Sequence, residues 1–307
     1  MKPASETEAV VGYLSVASAA VLWGSLGVAG KFAFASGVHP LEAAFYRAAF
    51  SALGLLAFTL LADRSALCIH FRDLPLFIAF GLVSIAGFFA IYLYAIKLTT
   101  VATAAILLYT APVFVTALSR VFFGEAITKV KAVSLLVTFL GCILVARGYD
   151  LSSLRLTLPG TLAGLGSGIT YALYSIFGKT ALRRYGILTT LTYAMGVGAI
   201  ALSLLGLPQK VIQTQHSPEA WAALVYLALV TTLLAQSLYL AGLRKVQASK
   251  ASIVATIEPV VAGVLGFSLL KEALEPPQII GGFLILAAVL AIQLGDREPG
   301  EARPRRG

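Results

Sequence analysis

"TAPVFVTALSRVFFGEAITKVKAVSLLVTFLGCILVA" at 110–146 and "IEPVVAGVLGFSLLKEALEPPQIIGGFLILAAVL" at 257–290 are two versions of one plan. In each, a proline inside an apolar run precedes a glutamate by thirteen residues: Pro112 with Glu125, Pro259 with Glu272. Both residues of the second pair stand 147 positions after those of the first. An earlier anchor repeats as well, because Gly30-Lys31 returns 148 positions later as Gly178-Lys179. Outward from these anchors, each copy holds five apolar segments. Five is odd, so the second copy must enter the membrane from the opposite side. Inverted repeats of this kind are how many secondary transporters build two access states.

Composition supports a membrane solvent. The chain is 59% hydrophobic and 12% charged, whereas a soluble domain is under half apolar and about a quarter charged. A helix needs about 20 apolar residues to cross the hydrocarbon. Segments of that kind lie at 12–34, 41–62, 74–96, 100–122, 130–147, 159–182, 187–206, 220–243, 250–270 and 277–294. The short gaps leave no room for a soluble domain, and the uniform runs lack the alternation of a membrane barrel. The expected fold is therefore an all-α membrane protein: ten transmembrane helices as two inverted five-helix repeats, 8–148 and 157–295, around a central cavity. A polar, disordered tail is expected over 296–307.

The net charge of +9 is not a nucleic-acid signature, because the basic residues are spread over short loops. They report topology instead. With the N-terminus in the cytoplasm, Lys2, Arg64, Arg72, Lys129, Lys131, Arg183, Arg184, Arg244, Lys245, Lys250, Arg297, Arg303, Arg305 and Arg306 fall inside. Lys97, Arg147, Arg155, Lys210 and Lys271 fall outside, and Lys31, Arg47, Arg120 and Lys179 lie within spans. Fourteen against five fixes the orientation, with both termini cytoplasmic. The two cysteines, Cys68 in a loop and Cys142 in a span, give no disulfide framework.

Pro112 and Pro259 each remove a backbone donor and crowd the carbonyl four residues earlier, Leu108 and Ala255. A freed carbonyl is costly in lipid unless it faces protein or a wet cavity. Both prolines are read as bends beside a central space, and their matched positions favour hinges over tolerated kinks. Gly160, Gly164 and Gly168 share one helix face, where small residues let a neighbour approach closely.

The quoted stretches, with "AAVLWGSLGVAGKFAF" at 19–34 and "PLEAAFYRAAFSALGLLAF" at 40–58, resemble EamA-type members of the drug/metabolite transporter superfamily. Within it the chain looks most like the ten-helix exporters of amino acids, aromatic ones included. The resemblance implies two inverted five-helix units in an inner (plasma) membrane, a central cavity, and spans five and ten at the periphery. One departure stands out. The second copy has Tyr171 at the place of Trp23, and no basic counterpart of Arg47 near Tyr193.

Ionisable groups within spans are functional candidates, because burying them is expensive. Glu258 lies eight residues past Lys250, about 12 Å along a helix and next to Pro259. Its counterpart is Ala111. It is read either as a partner for a substrate ammonium or a proton carrier, or as half of an ion pair with Lys250 or Lys179. Arg47, near the outer end of span two, is read as a helix pin or gate residue, with carboxylate binding as the other reading. Lys31 and Lys179 sit toward opposite faces as gate residues, and Glu125 and Glu272 as capping or gate-pairing groups. Trp23, Tyr109, Tyr171, Tyr174 and Tyr239 form the candidate substrate surface, where rings stack on an apolar solute and hydroxyls fix its polar end. Of Tyr92 and Tyr94, two apart on a helix, at most one faces a cavity.

"FGKT" at 177–180 mimics the tail of a phosphate loop, but Leu173 stands where its first glycine is needed. ATP is not the expected driver. His39, His70 and His216 all fall in loops, so no cofactor or metal is expected at membrane depth. The partners expected are a small-molecule substrate and the lipid bilayer, with a monomer sufficient. Three other readings remain: a carrier of phosphorylated or nucleotide sugars, which wants several cavity cations; an intramembrane enzyme, which wants a facing catalytic pair; and a channel.

Overall fold

Helix ends are written in side chains. Ser5 accepts from the Glu8 amide at 3.2 Å while the Glu8 carboxylate accepts from the Ser5 amide at 2.9 Å, a reciprocal cap. Thr100, Thr128, Thr157 and Ser217 likewise accept from the amide three residues on, which satisfies donors that a helix start leaves open. Two helices stop where Gly124 and Lys271 turn left-handed, at φ +68 and +57. The following amide then reaches back: Glu125 to the Ser119 carbonyl and Glu272 to the Gly266 carbonyl, both at 3.2 Å. Glycine enters this region without strain, whereas lysine does so at a cost of about 1 kcal/mol.

The computed structural model describes residues 5–152, 154–204 and 216–295. The tail expected at 296–307 lies outside them, as do Lys2, Lys210, Arg297, Arg303, Arg305 and Arg306. Ten helical rods are found among the described residues: α1 (Glu6–Ala35), α2 (Pro40–Ala62), α3 (Phe71–Leu98), α4 (Val101–Phe123), α5 (Lys129–Val145), α6 (Leu158–Ala181), α7 (Ile187–Leu204), α8 (Pro218–Leu243), α9 (Ala248–Leu270) and α10 (Pro276–Leu294). Eight are long and apolar enough to cross a membrane. Of the other two, α5 has 17 residues, and α6 has 24 but is rich in glycine and hydroxyl side chains. That polarity faces protein, since eleven of the α6 residues are buried.

Several rods are interrupted. α4 breaks at Tyr109–Thr110 and α9 at Thr256, so Pro112 and Pro259 each sit in the first turn of a restarted helix. The Thr110 and Thr256 hydroxyls donate to the carbonyls three residues back, at 2.6 and 2.5 Å. α1 breaks at Ser25, which no proline announces. α3 and α8 contain π-helical turns, Phe80–Gly87 and Leu229–Leu234, whose last residues are again 147 apart. A π turn widens the helix and redirects side chains, often at functional positions.

Packing follows an exchange between the copies. α1 lies against α8 and α9, as α6 lies against α3 and α4; α7 packs on α2 and α3, and α5 pairs with α10. The glycine face of α6 meets α4: a Cβ on Gly168 would fall 3.0 Å from the Thr110 hydroxyl and 3.3 Å from the Leu107 carbonyl. Gly141 of α5 and Gly281 of α10 touch backbone to backbone. A Cβ on either would lie 2.7 or 2.6 Å from the other's carbonyl oxygen. The main buried core joins α1, α3, α6, α8 and α9 around Trp23, Phe80, Tyr174 and Tyr239.

Candidate substrate site

Aromatic rings form a continuous wall between the copies. Trp23 of α1 meets its counterpart Tyr171 of α6 edge-on at 6.5 Å and lies 5.2 Å from Tyr239 of α8. Tyr239 lies 6.1 Å from Tyr174, which packs on Phe80 at 5.0 Å. Tyr171 also meets Phe88 at 5.7 Å, and Phe88 stacks on Tyr92 at 5.8 Å and 8°. Trp23, Tyr174 and Tyr239 are buried, whereas Tyr92, Tyr109 and Tyr171 are half-buried. The former three form the backing of the wall. The latter three keep surface open inside the bundle. Tyr94 is 54% exposed on the outside of α3.

Two opposite charges look into the same space. Arg47 of α2 donates from Nε to the Thr232 hydroxyl at 2.9 Å, and its guanidinium lies 5.1 Å above the Phe89 ring. Thr232 sits in the π turn of α8 and donates in turn to the Leu227 carbonyl at 2.8 Å. Glu258, on α9 just after its break, is electrostatically coupled to Arg47, Tyr92, Tyr109 and Tyr171. These come from α2, α3, α4 and α6, so the carboxylate faces the middle of the bundle. Among the described residues it has no hydrogen bond and no ion pair within 4.0 Å. Arg47 and Glu258 are both half-buried. Each therefore presents part of its side chain to space within the bundle, without direct contact with the other.

Buried polar atoms of α6 and α8 also lack partners. The Tyr174 hydroxyl and Gln236 Oε1 are buried without a hydrogen bond, a condition that native interiors rarely tolerate. Tyr239 differs, because its hydroxyl shares a 2.7 Å bond with Ser175. Such a constellation can hold a small amphipathic molecule: a cation for a carboxylate, a carboxylate for an ammonium, and aromatic faces between them.

The expected gate residues divide. Arg47, expected as a helix pin or gate residue or as a carboxylate binder, points toward α3 and α8. Its long side chain turns inward because Thr232 and the Phe89 ring offer it a hydrogen bond and a π face there. Lys31 pairs with Glu272 at one end of the bundle. Lys179 pairs with Glu125 at 3.3 Å and donates to the Val246 carbonyl at 2.8 Å. Lys179 is thereby engaged away from Glu258. Pro112 and Pro259 lie at the breaks of α4 and α9. Thr232, Gln236, Phe88 and Phe89 were not picked out from sequence. Gln236, an amide within a span, carried a signal; the role of Thr232 depends on a π turn that residue spacing does not announce. An open groove of about 820 Å³ lined by Asp63, His70, Arg184 and Tyr185 shares no residue with this site.

Comparison with known proteins follows the same lines. The sequence model of the EamA-like transporter family matches twice, over residues 10–147 and 158–294. An uncharacterized transporter of Archaeoglobus fulgidus is 32% identical, covering 91% of this chain and 95% of its own. The uncharacterized inner membrane transporter YicL of Salmonella typhimurium is 28% identical over 95% of this chain and 98% of its own. A crystal structure 18% identical in sequence superimposes with a TM-score of 0.80 over 95% of this chain and 98% of that one, a likeness of fold.

Proposed function

The chain belongs to the EamA-like transporter family, and we propose that it is a secondary transporter exporting amino acids or closely related small zwitterions, aromatic ones included. One observation carries this reading: Arg47 of α2 and Glu258 of α9, a basic and an acidic group, face one aromatic-walled space without bonding each other. A zwitterion supplies the missing partner to both. Its carboxylate takes the guanidinium, in the two-point geometry that suits arginine, and its ammonium takes Glu258. The rings of Tyr171, Tyr92 and Phe88 cover its side chain.

Ten spans in two inverted units are the matching architecture. Its support is the shared offset of breaks, π turns and terminators, with the reciprocal packing of α1 and α6. The halves rock about the breaks beside Pro112 and Pro259 and open the site to either side in turn. The charge bias of the loops puts the Lys179 end in the cytoplasm of a bacterial inner membrane and the Lys31 end outside. A sugar-phosphate carrier fits less well, since Lys31 and Lys179 are held in ion pairs with Glu272 and Glu125.

The test is uptake into proteoliposomes from a labelled amino-acid panel, with and without a pH gradient. Saturable uptake of at least one amino acid is expected, weakened by Glu258→Gln and by Arg47→Ala. Absence of any amino-acid uptake, with uptake of a sugar phosphate, would overturn the reading. Undiminished uptake by Glu258→Gln would remove Glu258 from the site.

A further inference from the structure

The two lysine–glutamate pairs are exchanged between the copies. Lys179 of the second copy meets Glu125 of the first, and its counterpart Lys31 of the first meets Glu272 of the second. The pairs are unequal. Lys179 and Glu125 have 11% and 7% side-chain exposure, against 59% and 49% for Lys31 and Glu272. Glu125 does more than pair. It accepts from the Ala248 amide at 2.8 Å, from the Ser249 amide at 3.1 Å and from the Ser249 hydroxyl at 2.5 Å. It therefore caps the start of α9, where a carboxylate answers both the open amides and the positive end of the helix dipole.

The 147-residue offset carries Ala248 and Ser249 onto Val101 and Ala102, the start of α4. There the Thr100 hydroxyl takes the Thr103 amide at 3.1 Å, which leaves the first two amides of α4 for another acceptor. Ala248 and Ser249 are 0% exposed, whereas Val101 is 64% exposed. Ala102 is half-buried, so the start of α4 is less covered than the start of α9. Glu272, the counterpart of Glu125, follows α9 as Glu125 follows α4.

We propose that Glu125 and Glu272 are alternating latches: Glu125 caps α9 and seals the Lys179 end in the conformation seen here, and Glu272 caps α4 at Val101 and Ala102 when the Lys31 end closes. This rests on the alternating-access reading above. Each glutamate thus reports across the two copies, so one latch forms as the other releases. The latches differ in strength. Ala102 lacks the hydroxyl that Ser249 contributes. Lys131, which ties the Ala126 carbonyl to Gln247 at 2.7 and 2.6 Å, has the neutral Gln278 as its counterpart. The conformation sealed at the Lys179 end is accordingly the resting one.

The experiment uses the full chain in nanodiscs, with exposed Cys68 replaced by alanine and either Val101→Cys or Ala248→Cys as reporter. A membrane-impermeant maleimide is applied to both faces. The parent labels at 101 and is protected at 248. Glu125→Gln raises the labelling rate at 248 and lowers it at 101, each by about tenfold, the loss expected when charge-assisted bonds are weakened. Ser249→Ala, a milder variant, moves both rates in the same directions by a smaller factor. Glu272→Gln keeps the parent pattern and abolishes the shift that a mixture of the twenty amino acids produces in the parent. Exposure of 248 without protection of 101 means that Glu125 only holds local packing, and it overturns the proposal. Unchanged rates in both Glu125→Gln and Ser249→Ala overturn it too. If the amino-acid mixture shifts the parent's reporters, alternating access survives that failure. If it shifts neither reporter while Glu125→Gln shifts both, the latch stands and the substrate reading falls.

Discussion

The two copies share a scaffold and differ in their chemistry. α4 and α9 break at the same relative position, end in left-handed residues at the same position, and return the same amide to the same carbonyl. Inside the bundle the correspondence stops. Glu258 of the second copy answers Ala111 of the first, and Arg47 of the first answers the apolar stretch 193–195 of the second. Tyr92 is half-buried beside Glu258, while its counterpart Tyr239 is buried and bonded to Ser175. The repeated features are those an interrupted helix needs wherever it occurs. The unrepeated ones fit the ligand with two unlike ends that is proposed above. A strictly symmetric site would offer two cations or two carboxylates, and neither suits a zwitterion.

The largest effect is expected from removing one pole. Arg47→Ala leaves Glu258 facing the aromatic space alone, and losing a charge-assisted bond costs about 1.5–3 kcal/mol, roughly tenfold to a hundredfold in apparent affinity. Uptake titrations should show that rise in KM for amino acids. Amines lacking a carboxylate should lose little. An equal loss for both would mean that Arg47 shapes the bundle and does not bind, and the contrast between copies would lose its meaning.

A second test separates scaffold from site. Gly141→Leu drives a side chain into the Gly281 carbonyl across the α5–α10 contact, and overpacking of this kind costs about 1–3 kcal/mol. Thermal unfolding in detergent should fall, while the KM of the folded fraction stays at the parent value. A changed KM would tie the α5–α10 pair to the site and blur the division.

Thr232→Val sharpens the comparison further. The hydroxyl holds Arg47 at Nε without touching the ligand. Its loss should raise KM by about threefold to tenfold, the worth of one hydrogen bond, with the maximal rate unchanged. Thr232→Ser should restore most of the affinity. Failure of the serine variant to do so would mean that the methyl group, and not the hydroxyl, matters there.

The scaffold was legible in sequence because its signals are local. Long apolar runs, a proline followed by a glutamate, and the glycine face at 160, 164 and 168 each act within a few turns of their own helix. Glu258 was legible for the same reason, as a carboxylate in an apolar run. Arg47 was left with two readings, because its distance from the helix start was visible and the direction of its side chain was not. That direction is set by Thr232 and Phe89 on two other helices. The break at Ser25 was also hidden. It has no proline, and its hydroxyl bonds the Leu22 carbonyl at 2.7 Å and Tyr226 at 2.9 Å, a contact 201 residues away in sequence.

The smallest effect concerns acid. Burial pushes the Glu125 carboxyl up, but Lys179 and the three bonds from Ala248 and Ser249 outweigh it and hold the group below the ordinary carboxylate range. A group depressed on folding stabilises the closed form above its unfolded pKa, and that contribution is lost as pH falls through the lowered value. The other charged groups at this end include Arg183, 4.9 Å over the Phe123 ring, Lys131 in the first turn of α5, Glu8 of α1 near Lys245, and Asp73 paired with Arg184. Protection of an Ala248→Cys reporter should therefore be flat from about pH 8 to about pH 5 and fail only below the usual carboxylate pKa of roughly 4.3. Ser249→Ala should move that failure to higher pH, because one of the bonds that depress Glu125 is gone. Opening of the sealed end near neutral pH in the parent would show that a different group, titrating there, holds it shut.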